Sequence, residues 1–274
     1  MRFARISLVL FLFAIPAGAD TFFDVPIVTQ VQGAAFYRTS LAISNAGPTS
    51  FLVITFVYRS PVDNTIQHPV YLQSALETSH AFASDDIVEF FKNNSDMRTA
   101  DKTAPLFGSL VIELPDVTDA TDVSVIARTY SPGPGGNGTM GIAYLGRPNS
   151  PSTRAFSRMV TTVRNGAFGQ DGNARANIGF INYSNFAIDL KVEYKNTDTG
   201  ASLKSFTLSS AVGHLLESHE VVQLGNIFSD AALAGVSRIL VTVTPIQPSQ
   251  SFSGYAVQLD NATNDGSFFL MTER

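Results

Sequence analysis

Arg38–Asn45 reads RTSLAISN, and Arg175–Asn182 reads RANIGFIN. Each stretch runs from an arginine to an asparagine, and each is followed by a short polar break and an apolar strand. The offset between them is 175 − 38 = 137 residues, the length of a domain. A chain that repeats itself at that period is read as two copies of one folding unit. Downstream of the second copy, Ile188, Leu190, Val192 and Tyr194 alternate with Asp189, Lys191, Glu193 and Lys195. Period-two alternation is the mark of a strand with one buried and one wet face. The matching first-copy strand, Phe51–Tyr58 (FLVITFVY), is apolar on both faces. It is read first as a strand in the middle of a well-covered sheet, and second as one covered by the other domain or a partner.

The breaks between these strands are Asn45–Pro48 (NAGP) and Asn182–Asn185 (NYSN). Asn tolerates left-handed backbone and can bond the backbone two residues on, so each copy is expected to open with a tight antiparallel hairpin. Ser84 is placed to cap a short helix with Asp85 and Asp86 in its first turn. Gly235 is placed to stop the equivalent turn in the second copy. Leu110–Leu114 and Ile239–Val243 then read as strands. They are followed by closing hairpins at Val123–Tyr130 with Thr139–Tyr144 and at Phe252–Leu259 with Ser267–Met271. Lys92–Pro105, absent from the second copy, reads as a polar surface loop. Strands and turns at this spacing predict an all-β fold of two tandem antiparallel β-sandwiches. The domains are expected at 20–148 and 154–274, with a Pro-rich linker at 149–153.

Residues 1–19 read as a signal peptide. Arg2 and Arg5 precede the apolar run Ile6–Ile15, and Ala17, Gly18 and Ala19 form a cleavage site. The run is short of the roughly 20 residues a membrane-spanning helix needs, so no span is expected after cleavage. The mature chain of 274 − 19 = 255 residues is expected to be secreted, periplasmic or at the cell surface. It contains no cysteine, which removes disulfides, thiol catalysis and Cys-ligated zinc. Charged residues are 15% of the chain, the net charge is −5, and no basic stripe of the kind nucleic acid requires is visible.

The candidate chemistry is thin. His214, Glu217, His219 and Glu220 lie close together, but two histidines five apart diverge on a helix and on a strand. No metal site is expected. The nearest approach to a calcium loop is Asp116, Asp119 and Asp122, whose spacing departs from an EF-hand loop. No hydrolase signature is present, no cofactor is implied, and the chain is not expected to be an enzyme. With no Trp, the rings left for stacking a sugar are Tyr37, Tyr71, Tyr144 and Tyr183. Arg38 and Arg175, matched in the two copies, and Tyr37 and Tyr183 beside them are the candidate binding residues.

The motifs Arg38–Asn45, Arg175–Asn182, Leu224–Phe228 and Ala256–Gly266 resemble duplicated immunoglobulin-like β-sandwich repeats of exported bacterial proteins. The first copy departs from that pattern at Ala127–Gly136. The resemblance implies a surface or extracellular module and offers no catalytic residues. The expected function is therefore structural or adhesive, exerted through protein or cell-surface contacts, with self-association among them. A carbohydrate-binding module is the alternative, and a hydrolase or a two-domain periplasmic chaperone is more remote. A chaperone would need basic residues at the junction, where Arg147, Arg154 and Arg158 lie.

Overall fold

The computed structural model describes residues 21–32, 35–133, 138–148, 158–165, 174–260 and 266–273. The expected signal peptide and the 149–153 linker lie outside them. The first half contains β1 (Thr21–Gln32), β2 (Phe36–Asn45), β3 (Ser50–Arg59), β4 (Ile66–Gln67), β5 (Val70–Leu76) and β6 (His80–Ser84). Helix α1 (Ile87–Asn94) follows, then β7 (Leu106–Leu114), β8 (Val123–Pro132), β9 (Thr139–Leu145) and β10 (Arg147–Pro148). The second half contains β11 (Met159–Arg164), β12 (Ala174–Asn182), β13 (Leu190–Asn196) and β14 (Ser202–Thr207). After the short helix α2 (Leu208–Val212) come β15 (Val221–Leu224), β16 (Arg238–Pro245), β17 (Phe252–Asp260), β18 (Gly266–Leu270) and β19 (Thr272–Glu273).

Every ladder among these strands is antiparallel, and the fold is an all-β sandwich architecture. In the second half one sheet runs β14-β13-β16-β11-β19 and the other β15-β12-β17-β18. In the first half β3 pairs with β5 and β7, β7 with β1, and β1 with β10. The facing ladder runs β6-β2-β8-β9. The two halves thus share one pairing order. The first half differs in that β1 continues past an irregularity between Val25 and Val28 and pairs with β2, joining its layers into one ten-stranded sheet.

The expected opening hairpins do not form. β2 and β3 belong to different ladders, as do β12 and β13, so the asparagine turns carry the chain from one layer to the other. The side chain of Asn45 explains the crossing. It donates to Pro48 O (2.7 Å) and Leu76 O (3.0 Å) and accepts from Gly47 N (2.9 Å). Asn182 does the same with Phe186 O (2.8 Å), Leu216 O (2.9 Å) and Ser184 N (2.7 Å). Behind each turn the chain makes the same left-handed step, at Ser79 (φ 63°) and His219 (φ 57°). Their amides donate to Asn45 O (2.7 Å) and Asn182 O (2.9 Å).

Two local expectations are also corrected. The N-cap of α1 is Asp86, which accepts from Glu89 N (3.1 Å), while Ser84 is part of β6 and pairs with Leu41. Nor is Lys92–Pro105 a polar surface loop. Asp101 within it is fully buried and accepts from Tyr58 Oη (2.8 Å), Ser60 Oγ (2.6 Å) and Arg98 Nε (2.9 Å). Burial alone would raise this carboxyl, but those three donors hold it below the usual carboxylate range. Lys92 is buried as well, its ammonium donating to Gln30 Oε1 and to Ala104 O. The insertion is fastened by a polar network that composition alone does not show.

Candidate functional site

The two halves are packed against each other, and the only binding candidates the structure brings together lie where they meet. β12 and β17 are buried on both faces. Ala176, Ile178, Phe180, Phe252 and Ala256 point into the core of the second half. Ile181, Tyr183, Tyr255 and Val257 join the core of the first half instead. Tyr255 stacks on Phe268 (5.4 Å between ring centroids), and Phe268 stacks on Tyr144 of β9 (5.2 Å). Gly179, opposite Tyr255 in the ladder, leaves room for that ring: a Cβ there would lie 2.0 Å from Tyr255 Cζ.

One side of this junction is polar. Glu220, almost completely buried, receives Arg59 Nε (2.7 Å) and Nη2 (2.9 Å) as a bidentate pair and also contacts His214 Nε2 (3.1 Å). Ser109 Oγ donates to His219 O (2.7 Å), His219 Nδ1 stands 3.8 Å from buried Asp24, and Arg147 donates to Ser253 Oγ (2.9 Å). Nearby, burial and then the neighbouring His219 hold the His68 imidazole below its ordinary value.

The other side of the junction is a cavity of about 420 Å³. Its first-half wall includes Ile27, Val31, Phe107 and Ile142, and Val257 and Leu259 close it from the second half. The polar residues on it are few: Thr29, Thr129, Tyr37, Arg175, Asn177 and Gln223, with the Tyr144 ring as a floor. Arg175 Nη2 donates to Tyr37 Oη (3.0 Å) across the junction. The Tyr144 hydroxyl bonds Ile27 O and Thr129 Oγ1, and burial pushes its pKa well above the usual phenol range. No Asp, Glu or His is among the described wall residues.

Of the residues singled out by sequence, Tyr37, Tyr144 and Arg175 meet at this cavity. Arg38 does not: its guanidinium lies over the Phe36 (5.8 Å) and Tyr130 (5.5 Å) rings of its own half. Tyr183 and Tyr144, expected as exposed rings, are buried. Asp116 accepts from Phe51 N (3.4 Å), and Asp119 caps a single helical turn at Ala120–Asp122, accepting from Thr121 N (2.9 Å). Asp122 abuts Gly47. Among the described residues no group of three or more His, Cys, Asp or Glu side chains is placed to hold a metal ion. No helix among them is long and apolar enough to cross a membrane. The cavity itself was not legible in sequence, because Arg175 and Asn177 at its edge alternate with core-facing Ala176 and Ile178 as on any half-buried strand.

No protein-family model matches the chain, and no curated protein matches it in sequence.

Proposed function

We propose that this is an exported, non-catalytic protein of immunoglobulin-like repeats that works by contact, as a structural or adhesive component outside the cytoplasm. The observation that carries the reading is an open apolar strand face at one margin of the first half. β5 pairs only with β3. Its Leu72 is 70% exposed, directly across the ladder from Val53, and Phe51 beyond it is 58% exposed. Lone exposed apolar residues are ordinary, but neighbouring ones on the outer face of an edge strand and the strand beside it, here Leu72 on β5 and Phe51 on β3, are a contact surface. The shared pairing order and the twin asparagine turns support descent of both halves from one duplicated module.

The test is light scattering behind a sizing column over a wide concentration range, on the wild-type protein and on a Phe51→Lys/Leu72→Lys variant. Growth of mass with concentration in the wild type, abolished in the variant, is the expected result. A monomer at all concentrations, together with unchanged adhesion of the variant to the producing cells' surface, would overturn the reading.

A further inference from the structure

We propose that a pocket of the second half, between β14 and the turn that follows β15, binds one residue of a neutral saccharide. The inference goes beyond the contact reading and does not rest on it. The pocket holds about 370 Å³, within the range of small-molecule sites. Its origin is a difference between the halves. The asparagine turns bind Pro48 O and Phe186 O, and the same count onward, 56 − 48 = 194 − 186 = 8, reaches Phe56 in β3 and Tyr194 in β13. Tyr71 faces Ile54 across the first ladder, and Phe206 faces Val192 across the second. In the first half α1 covers this place: Phe91 packs on Phe56 (5.7 Å between ring centroids) and Phe90 on Tyr71 (4.7 Å). In the second half a single turn at Ile227–Ser229 follows β15 instead, and Tyr194 and Phe206 line an open pocket. Tyr194 is only 3% exposed, yet its hydroxyl makes no hydrogen bond among the described residues. Burial and then the nearby Asp230 charge raise its pKa above the usual phenol range, so the group stays a donor. A buried hydroxyl without a partner is costly, and the ring of Phe56 fills the matched position without one.

The polar groups of the wall suit hydroxyls rather than an ion. Lys204 and Asp230 are its charged residues among those described, and they pair with each other, so the pocket presents no net charge. The Lys204 ammonium also lies 5.4 Å from the Phe206 ring centroid, and Asp230 Oδ1 accepts from Ala232 N (3.0 Å). An ammonium carries three donors and a carboxylate about four acceptor sites, so the pair keeps both kinds to offer. Asn226 adds an amide at the rim. Its backbone is left-handed (φ 43°), its N–H donating to Asn177 Oδ1 (2.8 Å) and its carbonyl accepting from Ser229 Oγ (2.7 Å). Its side chain bonds nothing among the described residues, which leaves one more donor and acceptor beside the ion pair. Donors and acceptors side by side match groups that are both at once, as neighbouring hydroxyls are. Phe206 and Leu224 supply apolar surface for the C–H face of a sugar ring. A free anion would meet Asp230, and a free cation Lys204.

A glycan array probed with the purified protein tests the assignment, carrying neutral oligosaccharides (glucans, mannans, galactans and N-acetylglucosamine oligomers) beside sialylated and sulfated ones. Calorimetry with the strongest neutral ligand then gives the affinity. The wild type should retain neutral glycans and bind that ligand saturably at one site per chain. Ala211→Trp, at an exposed position on the pocket wall, should remove binding while thermal melting shows the protein still folded. Tyr194→Phe should weaken binding roughly three- to tenfold, the worth of one hydrogen bond, and leave the melting temperature nearly unchanged. No retention of any glycan, retention of acidic glycans alone, binding that survives Ala211→Trp, or equal affinity of Tyr194→Phe and wild type would overturn the proposal. The Phe51→Lys/Leu72→Lys variant should bind the glycan as the wild type does, so the contact surface and the pocket succeed or fail separately.

Discussion

Asn45 and Asn182 each do with one side chain what several backbone groups do elsewhere. Both are buried, both donate twice to carbonyls and accept once from an amide, and both hold a chain crossing between layers. In sequence they read as turn residues, and that much held. What the sequence does not carry is the long-range partner of each, Leu76 O or Leu216 O, because a carbonyl has no side-chain signature. For the same reason a hairpin was expected: local turn chemistry is identical whether the next strand pairs back or crosses over. Asn182→Ala would strand two buried carbonyls and one amide, and should cost about 2–4 kcal/mol in a urea denaturation series. Asn182→Asp keeps the acceptor for Ser184 but sets a carboxylate against two carbonyl oxygens, so its loss should be at least as large. A change under about 0.5 kcal/mol for either would mean that the crossing is held by other groups.

The elements divide into those whose pattern is local and those fixed by what covers them. β13 is legible outright, because Lys191 is exposed while Leu190 and Val192 are fully buried, as their alternation requires. β3 is apolar on both faces for two reasons. Val57 and Tyr58, at its end, are buried next to Arg59, which pairs with Glu220 of the second half. Phe51, at its start, stands open. A mean pattern over the strand hides that division. α1 shows a smaller version of the problem, since Ser84, Asp85 and Asp86 are all plausible caps and geometry selects the last. Asp86 also accepts from Gln30 Nε2 (3.0 Å), tying the helix start to β1. Asp86→Ala should therefore lower stability by about 1–2 kcal/mol, whereas Ser84→Ala should stay within about 0.5 kcal/mol. Thermal melts of the two variants side by side would decide it, and a larger loss at Ser84 would move the cap.

At the scale of the whole molecule, the all-β architecture was legible but the docking of the two halves was not. The stretch Arg175–Asn182, which reads like Arg38–Asn45, suggests a second sandwich like the first. The faces of β12 and β17 turned to the first half mix Ile181, Tyr255 and Val257 with Arg175, Asn177 and Ser253, so their composition does not announce a covered face. Glu220 is the clearest case of information that exists only in three dimensions. Beside two histidines it looks like part of a metal cluster, yet its carboxylate is spent on Arg59, which is 161 residues away in sequence. A nearly buried carboxylate in a bidentate pair is costly to remove on one side only, because the guanidinium left behind loses its counter-charge. Glu220→Ala should lower stability by about 2–3 kcal/mol, toward the low end because Arg59 keeps some solvent access. The form of the loss matters more than its size. Two halves whose cores meet across β12 and β17 should melt in a single calorimetric transition, and weakening their polar junction should split it into two. Two transitions in the wild type would show that the halves fold independently. One sharp transition in both proteins, at the same temperature, would show that the apolar contacts of Ile181, Tyr255 and Val257 hold the junction unaided.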